Sequence, residues 1–151
     1  MEWVDRLGGE IIGLDTAPII YLIEEHPIYL EPMRYFFEAM ERGSFQAITS
    51  TVTLLEVLVR PLREKNVSLA EEYRDILLNA SNLRTMDVSE AVAEQAARIR
   101  AQYDLRTPDA IQLGTAVHGG ASFFLTNDTR LPPVSNLNLL VLENLLKTRG
   151  G

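Results

Sequence analysis

Apolar and polar positions divide the chain into short apolar runs and longer helical patterns. The runs are EIIGLD (10–15), FQAITS (45–50), LRTMDV (83–88), SFFLTND (122–128) and NLLVLEN (138–144). Hydrophobicity in IIGL and FFL is continuous rather than alternating, as in strands covered on both faces. Between the runs, PIYLEPMRYFFEAMERG ends on Arg42 and Gly43, a cation followed by a residue suited to a left-handed cap. SLAEEYRDILLNA opens on Ser68 and sets Leu69, Tyr73, Ile76 and Leu77 on one stripe. SEAVAEQAARIRAQYD opens on Ser89 and spaces Val92, Ala96 and Ile99 at helical intervals. TPDAIQLGTAVHGG has Thr107 as its cap, Pro108 at the first helical position and glycines at its end. The alternation predicts an α/β fold of three layers, α/β/α, around a mainly parallel central sheet. No repeat, low-complexity tract or linker interrupts it, so a single domain over 1–151 is expected.

Composition narrows the chemistry. The 151 residues include no cysteine, which excludes a disulfide framework, a thiolate zinc site and a cysteine nucleophile. No apolar run approaches the ~20 residues that span a bilayer, and the start lacks a basic-then-apolar leader. A cytoplasmic protein without a membrane segment is expected. The net charge of −7 opposes a broad basic face for nucleic acid. That objection weakens where acids hold cations, because a bound metal reverses the local field.

Four acids stand at positions that matter for such a site. Asp15 closes the first strand, Glu56 interrupts the apolar VTLLEVLV, Asp109 follows Thr107 by two residues, and Asp128 closes FFLTND. Each has an ordinary explanation. Asp15 suits a helix cap worth about 1 kcal/mol, and Asp109 suits a helix dipole at ~0.3–1 kcal/mol. Glu56 suits a pair with Arg60, and Asn127-Asp128 suits a turn. Their shared location is left over: in a parallel sheet, strand C-termini and helix N-termini meet on one edge. Acids gathered there repel, and a divalent cation removes that cost. Hard oxygen donors without cysteine favour Mg²⁺ or Mn²⁺ over zinc. His26 and His118 read as a loop histidine and a helix-end cation. No nucleophile elbow, P-loop or dinucleotide fingerprint is present.

At this point a resemblance enters. GLDTAPIIYLIE, TSTVTLLEVLVRPLR, RTPDAIQLGTAV and FFLTNDTRL resemble, in order, the four motifs of the PIN-domain nucleases. The chain's size resembles the VapC-type ribonuclease toxins of toxin–antitoxin pairs, and the likeness runs from residue 11 to about 142. It implies that Asp15, Glu56, Asp109 and Asp128 form an acidic metal site. Thr126 and Asn127 would shape the fourth corner, where Asn127 and Asp128 both offer oxygens. Gly114 departs from the pattern, which commonly has alanine there. The implied activity is Mg²⁺-dependent endoribonuclease cleavage by in-line displacement, leaving a 5′-phosphate and a 3′-hydroxyl. RNA is then the substrate, a small antitoxin the partner and a homodimer the assembly. Arg60, Arg63 and Lys65 would meet RNA phosphates or simply stabilise a helix C-terminus.

Two alternatives stand beside this reading. A PIN-type nuclease of RNA maturation would call for an additional RNA-binding domain. A non-catalytic α/β interaction module would use its acids only as helix caps and bind no divalent ion. In either case TAPIIYLIEEHPIYL and PMRYFFEAMERG carry more large apolar residues than one buried stripe needs, from Ile19 through Ile23 and again at Tyr35, Phe36 and Phe37. Such excess predicts an exposed apolar interface on these two helices.

Overall fold

A computed structural model describes residues 1–149, so positions 150 and 151 of the expected domain lie outside the described residues. The chain runs α1 (Glu2–Asp5), β1 (Ile11–Leu14), α2 (Thr16–Ile23), α3 (Leu30–Glu41), β2 (Gln46–Ser50), α4 (Thr51–Arg63), α5 (Val67–Asn79), β3 (Leu83–Met86), α6 (Glu90–Tyr103), α7 (Thr107–His118), β4 (Phe123–Thr126), β5 (Asn138–Val141) and α8 (Leu142–Arg149). The strands form one sheet in the order β3-β2-β1-β4-β5, and every pairing is parallel. The chain steps outward from β1 to β3, then resumes at β4 on the other side of β1. Strand order therefore reverses between β1 and β4, which opens a crevice beyond their C-terminal ends.

The strands supply two cores. Ile12, Leu14, Ala47 and Leu125 pack with Ile19, Phe36, Phe37, Val57 and Tyr73 on one side, while Ile48 and Phe124 pack with Ile99, Leu113 and Ala116 on the other. Burial on both faces explains the continuous hydrophobicity of β1 and β4, and the edge strands β3 and β5 are only half-buried. A Cβ on Gly13 would stand 2.7 Å from Ala116 Cβ, so glycine lets α7 lie close against β1. Among the described residues, no helix is long and apolar enough to cross a membrane.

Several boundaries differ from expectation. The cap of α5 is Asn66, whose side chain accepts from Leu69 N at 3.1 Å, and Ser68 lies inside the helix. Arg106 is the N-cap of α7, so Thr107 is its first helical residue rather than its cap. Ser89 caps α6 as expected, accepting from Val92 N. Gly43 takes φ +88 after α3, the left-handed conformation its position called for. The run 138–144 changes state at Leu142, where β5 gives way to α8.

The apolar excess of α2 and α3 is mostly consumed inside. Ile19, Phe36 and Phe37 are buried, and α1 and the turn after it add Val4 and Leu7 to the same core, with Trp3 stacked on Phe36. Only Ile28 and Tyr35 of that region stay exposed. The surplus surface lies instead on α4, where Leu55, Val59 and Leu62 are 64%, 44% and 56% exposed at helical spacing.

Candidate active site

Parallel strands end on one edge, and the topology brings all four acids to it. Asp15 follows β1 and caps α2, its Oδ1 accepting from Thr16 N at 2.9 Å. Its own N–H donates to Leu125 O at 3.0 Å, which anchors it to β4. Its Oδ2 accepts from the Thr126 hydroxyl at 2.7 Å. Capping and site-forming are thus compatible for this carboxyl. Glu56 lies on the second turn of α4, and its Oε1 accepts from Thr16 Oγ1 at 2.7 Å. Arg60, the partner an ordinary helix pair would give Glu56, pairs instead with Glu24 at 3.5 Å and Glu64 at 3.2 Å. Arg63 and Lys65 are exposed at the far end of α4.

The other two acids are engaged by arginines. Asp109, in the first turn of α7, meets Arg106 Nε at 3.3 Å. Asp128 Oδ1 accepts from Arg130 N at 2.9 Å and from Arg130 Nε at 3.2 Å. Asn127 turns away from the fourth corner altogether. Its Oδ1 accepts from Glu143 N at 2.8 Å, at the start of α8, and its Nδ2 donates to Tyr21 Oη at 3.2 Å. Both ends of the Asn127 amide are thus engaged by other elements of the fold. Thr126 joins the two strand-end acids, its hydroxyl donating to Asp15 and accepting from Asp128 N at 3.0 Å.

Electrostatics separates Asp15 from Asp128. Burial pushes the Asp15 carboxyl above its usual value; hydrogen bonds from Thr126 and Thr16 oppose this, and the charges of Asp109 and Glu56 add to it. Asp128 is held below its usual value: burial pushes it up, but the Arg130 backbone and side chain, with the Arg106 charge, outweigh that. Asp15 therefore feels Asp109 and Glu56 as like charges, a repulsion that a cation would relieve. Among the described residues, no three acidic or imidazole side chains gather tightly enough to form a ready-made cation cage. Neither histidine takes part: His26 Nδ1 accepts from Ile28 N and Tyr29 N within a loop, and His118 lies in the last turn of α7.

Sequence reasoning missed the groups that connect these acids. Thr16, Thr53, Ser50 and Gln112 form a polar layer below the carboxylates, and Arg106 and Arg130 border them. A signal for Gln112 existed: it is a polar residue in the apolar AIQLGTA, three positions after Asp109 and so on the same helix face.

Residues 12–137 match the family model of the PIN domain. Solved structures share the architecture. VapBC2 from Rickettsia felis, bound to a DNA fragment from its promoter, aligns with a TM-score of 0.69 at 20% identity, covering 87% of this chain and 98% of its own. Mycobacterium tuberculosis VapC20, a toxin that cleaves the sarcin–ricin loop, aligns with a TM-score of 0.64 at 18% identity over 80% of this chain and 91% of its own. A toxin–antitoxin complex from Klebsiella pneumoniae gives 0.60 and 24%, covering 85% of this chain and 95% of the other. Comparison with curated proteins finds no match. The family match over most of the chain agrees with the all-parallel sheet and the acid at its switch point: the chain belongs to the PIN-domain family.

Proposed function

We propose that the protein is a divalent-metal-dependent endoribonuclease, the toxin of a toxin–antitoxin pair. The observation that carries this is the half-buried Asp15 at the switch point, raised by its burial and by the charges of Asp109 and Glu56. A carboxylate in that position costs stability unless a cation joins it. Asp15, Glu56, Asp109 and Asp128 would hold the ion, which is Mg²⁺ or Mn²⁺ by the hardness of its donors. When bound, such an ion supplies Lewis-acid polarisation of a phosphodiester and a more acidic water. The protein's own part is positional. Thr126 fixes Asp15, Thr16 fixes Glu56, and the helix end at Asp109 brings a third carboxylate to the edge.

RNA as substrate is the reading supported by family membership and by the neighbour that cleaves the sarcin–ricin loop. To Arg60, Arg63 and Lys65 as phosphate contacts this reading adds Arg106 and Arg130. These two border the acids directly, and their guanidinium groups have the geometry to pair with phosphate oxygens. Millimolar Mn²⁺ or Mg²⁺ should raise the melting temperature: at a hundred times the dissociation constant, mass action adds about 2.7 kcal/mol. Calorimetry showing no uptake of either ion would refute the metal site and favour a module that uses its acids as caps.

The assembly we propose is a homodimer through α4, with a small antitoxin as further partner; a structural neighbour that is a toxin–antitoxin complex supports the antitoxin. Val57 faces the core while Leu55, Val59 and Leu62 face out, so α4 is apolar on both sides. An outer helix with that composition has a second surface to bury. Leu55→Glu and Leu62→Glu should leave stability within about 0.5 kcal/mol, as surface changes do, and convert a dimer into a monomer by light scattering. Charged variants that remain dimeric would remove α4 from the interface.

A further inference from the structure

Beneath the carboxylates lies a buried polar network that ends on one of them. Gln112 is 4% exposed and projects from α7 one turn after Asp109. Its Oε1 accepts from Ser50 Oγ at 2.7 Å, and Ser50 Oγ in turn accepts from Val52 N at 3.1 Å. The Ser50 proton goes to Gln112 Oε1, and Nε2 lies on the other side. Nε2 donates to Thr53 Oγ1 at 2.5 Å and to Thr16 Oγ1 at 3.2 Å. An amide nitrogen only donates, so both hydroxyls accept there and spend their single protons elsewhere. Thr16 gives its proton to Glu56 Oε1 at 2.7 Å. Thr49 donates to Leu14 O at 3.0 Å, which leaves Thr53 as the donor across its 2.8 Å contact with Thr49. One amide thus sets two proton directions. One ends on the backbone just before Asp15, the other on Glu56.

We propose that Gln112 is a positioning residue for the acidic site: by donating to Thr16 Oγ1 it orients that hydroxyl toward Glu56, and so holds the Glu56 carboxylate at the sheet edge instead of in solvent. Glu56 is otherwise an exposed helix residue, and Thr16 is its one hydrogen-bond partner among the described residues. The inference rests on the metal-nuclease reading, and its test separates the two. Gln112→Met keeps the bulk and removes the donors. Mn²⁺ affinity is measured by calorimetry for the wild type, Gln112→Met, Glu56→Gln and the double variant.

Gln112→Met weakens Mn²⁺ binding by roughly tenfold or more, the usual loss when a group that orients a metal ligand is removed. In the Glu56→Gln background the same change costs nothing further, because its effect passes through Glu56. Thr16→Val reproduces the loss and Thr16→Ser restores affinity, which tests the same hydrogen bond from its other end should Gln112→Met fail to fold. An equal loss in both backgrounds, or no loss in either, would make Gln112 an ordinary core residue and overturn the proposal. A wild type that takes up no Mn²⁺ refutes the nuclease reading instead. The role of Gln112 is then decided without metal, by the ¹³C shift of the Glu56 carboxyl: Gln112→Met moves it if the amide holds Glu56, and an unmoved shift overturns the proposal.

Discussion

Asp15→Asn is expected to raise the melting temperature of the metal-free protein and to erase the stabilisation that metal confers. Burial lifts the Asp15 pKa above its ordinary 3.8, so the folded chain binds that proton more tightly than the unfolded chain does. Stability then falls as pH rises from the unfolded value through the folded one, and stays lowered above both. At neutral pH the wild type carries this penalty and the amide does not. Asn is also as good an N-cap as Asp, so the start of α2 survives. With saturating Mn²⁺ the order reverses: the wild type gains about 2.7 kcal/mol at a hundred times its dissociation constant, or roughly 5–10 °C for a chain of this size. The variant gains little of it. A variant that melts lower without metal and still shows the full gain would contradict the electrostatic account of Asp15.

Gly114→Val is expected to lower the melting temperature by roughly 6–12 °C, equivalent to about 3 kcal/mol. A Cβ at residue 114 would stand 2.9 Å from Ala96 N and 3.1 Å from Ala96 Cα, both backbone atoms of α6 that no rotamer change can move. Even Gly114→Ala sets a helix-propensity gain of about 1 kcal/mol against that contact. Valine adds two methyl groups and forces α6 and α7 apart. Because Asp109 stands at the start of α7, the separation should also reduce metal-induced stabilisation. A Gly114→Val protein with unchanged melting would show that the α6–α7 contact yields more easily than this packing implies.

Much of the fold was legible because burial on two faces leaves an unbroken apolar mark. IIGL and FFL read as central strands, and they are the strands on either side of the switch point. The caps were harder, since Asn66 and Ser68 carry equivalent signals two residues apart, and only the hydrogen bond from Leu69 N distinguishes them. At the site, the order of the four acids was visible, but the partners of Asn127 were not. These are α8, whose first turn takes the Asn127 oxygen, and Tyr21, which takes its nitrogen. Both partners are remote in sequence. The same holds for Gln112, which meets Thr16 and Thr53 across 96 and 59 residues. Apolar excess on α2 and α3 misled for a related reason: α1, four residues long, helps cover them and has no periodicity of its own.

The central claim is that the acids at this sheet edge cut RNA with the help of a divalent ion. Its most direct test incubates the purified chain with total RNA and Mg²⁺, alongside a chelator control and Asp15→Asn, and maps the new ends. The account predicts discrete internal cuts carrying 5′-phosphate and 3′-hydroxyl termini, abolished both by the chelator and by Asp15→Asn. Intact RNA from the wild type with Mg²⁺ and with Mn²⁺, or equal cutting by Asp15→Asn, would contradict it.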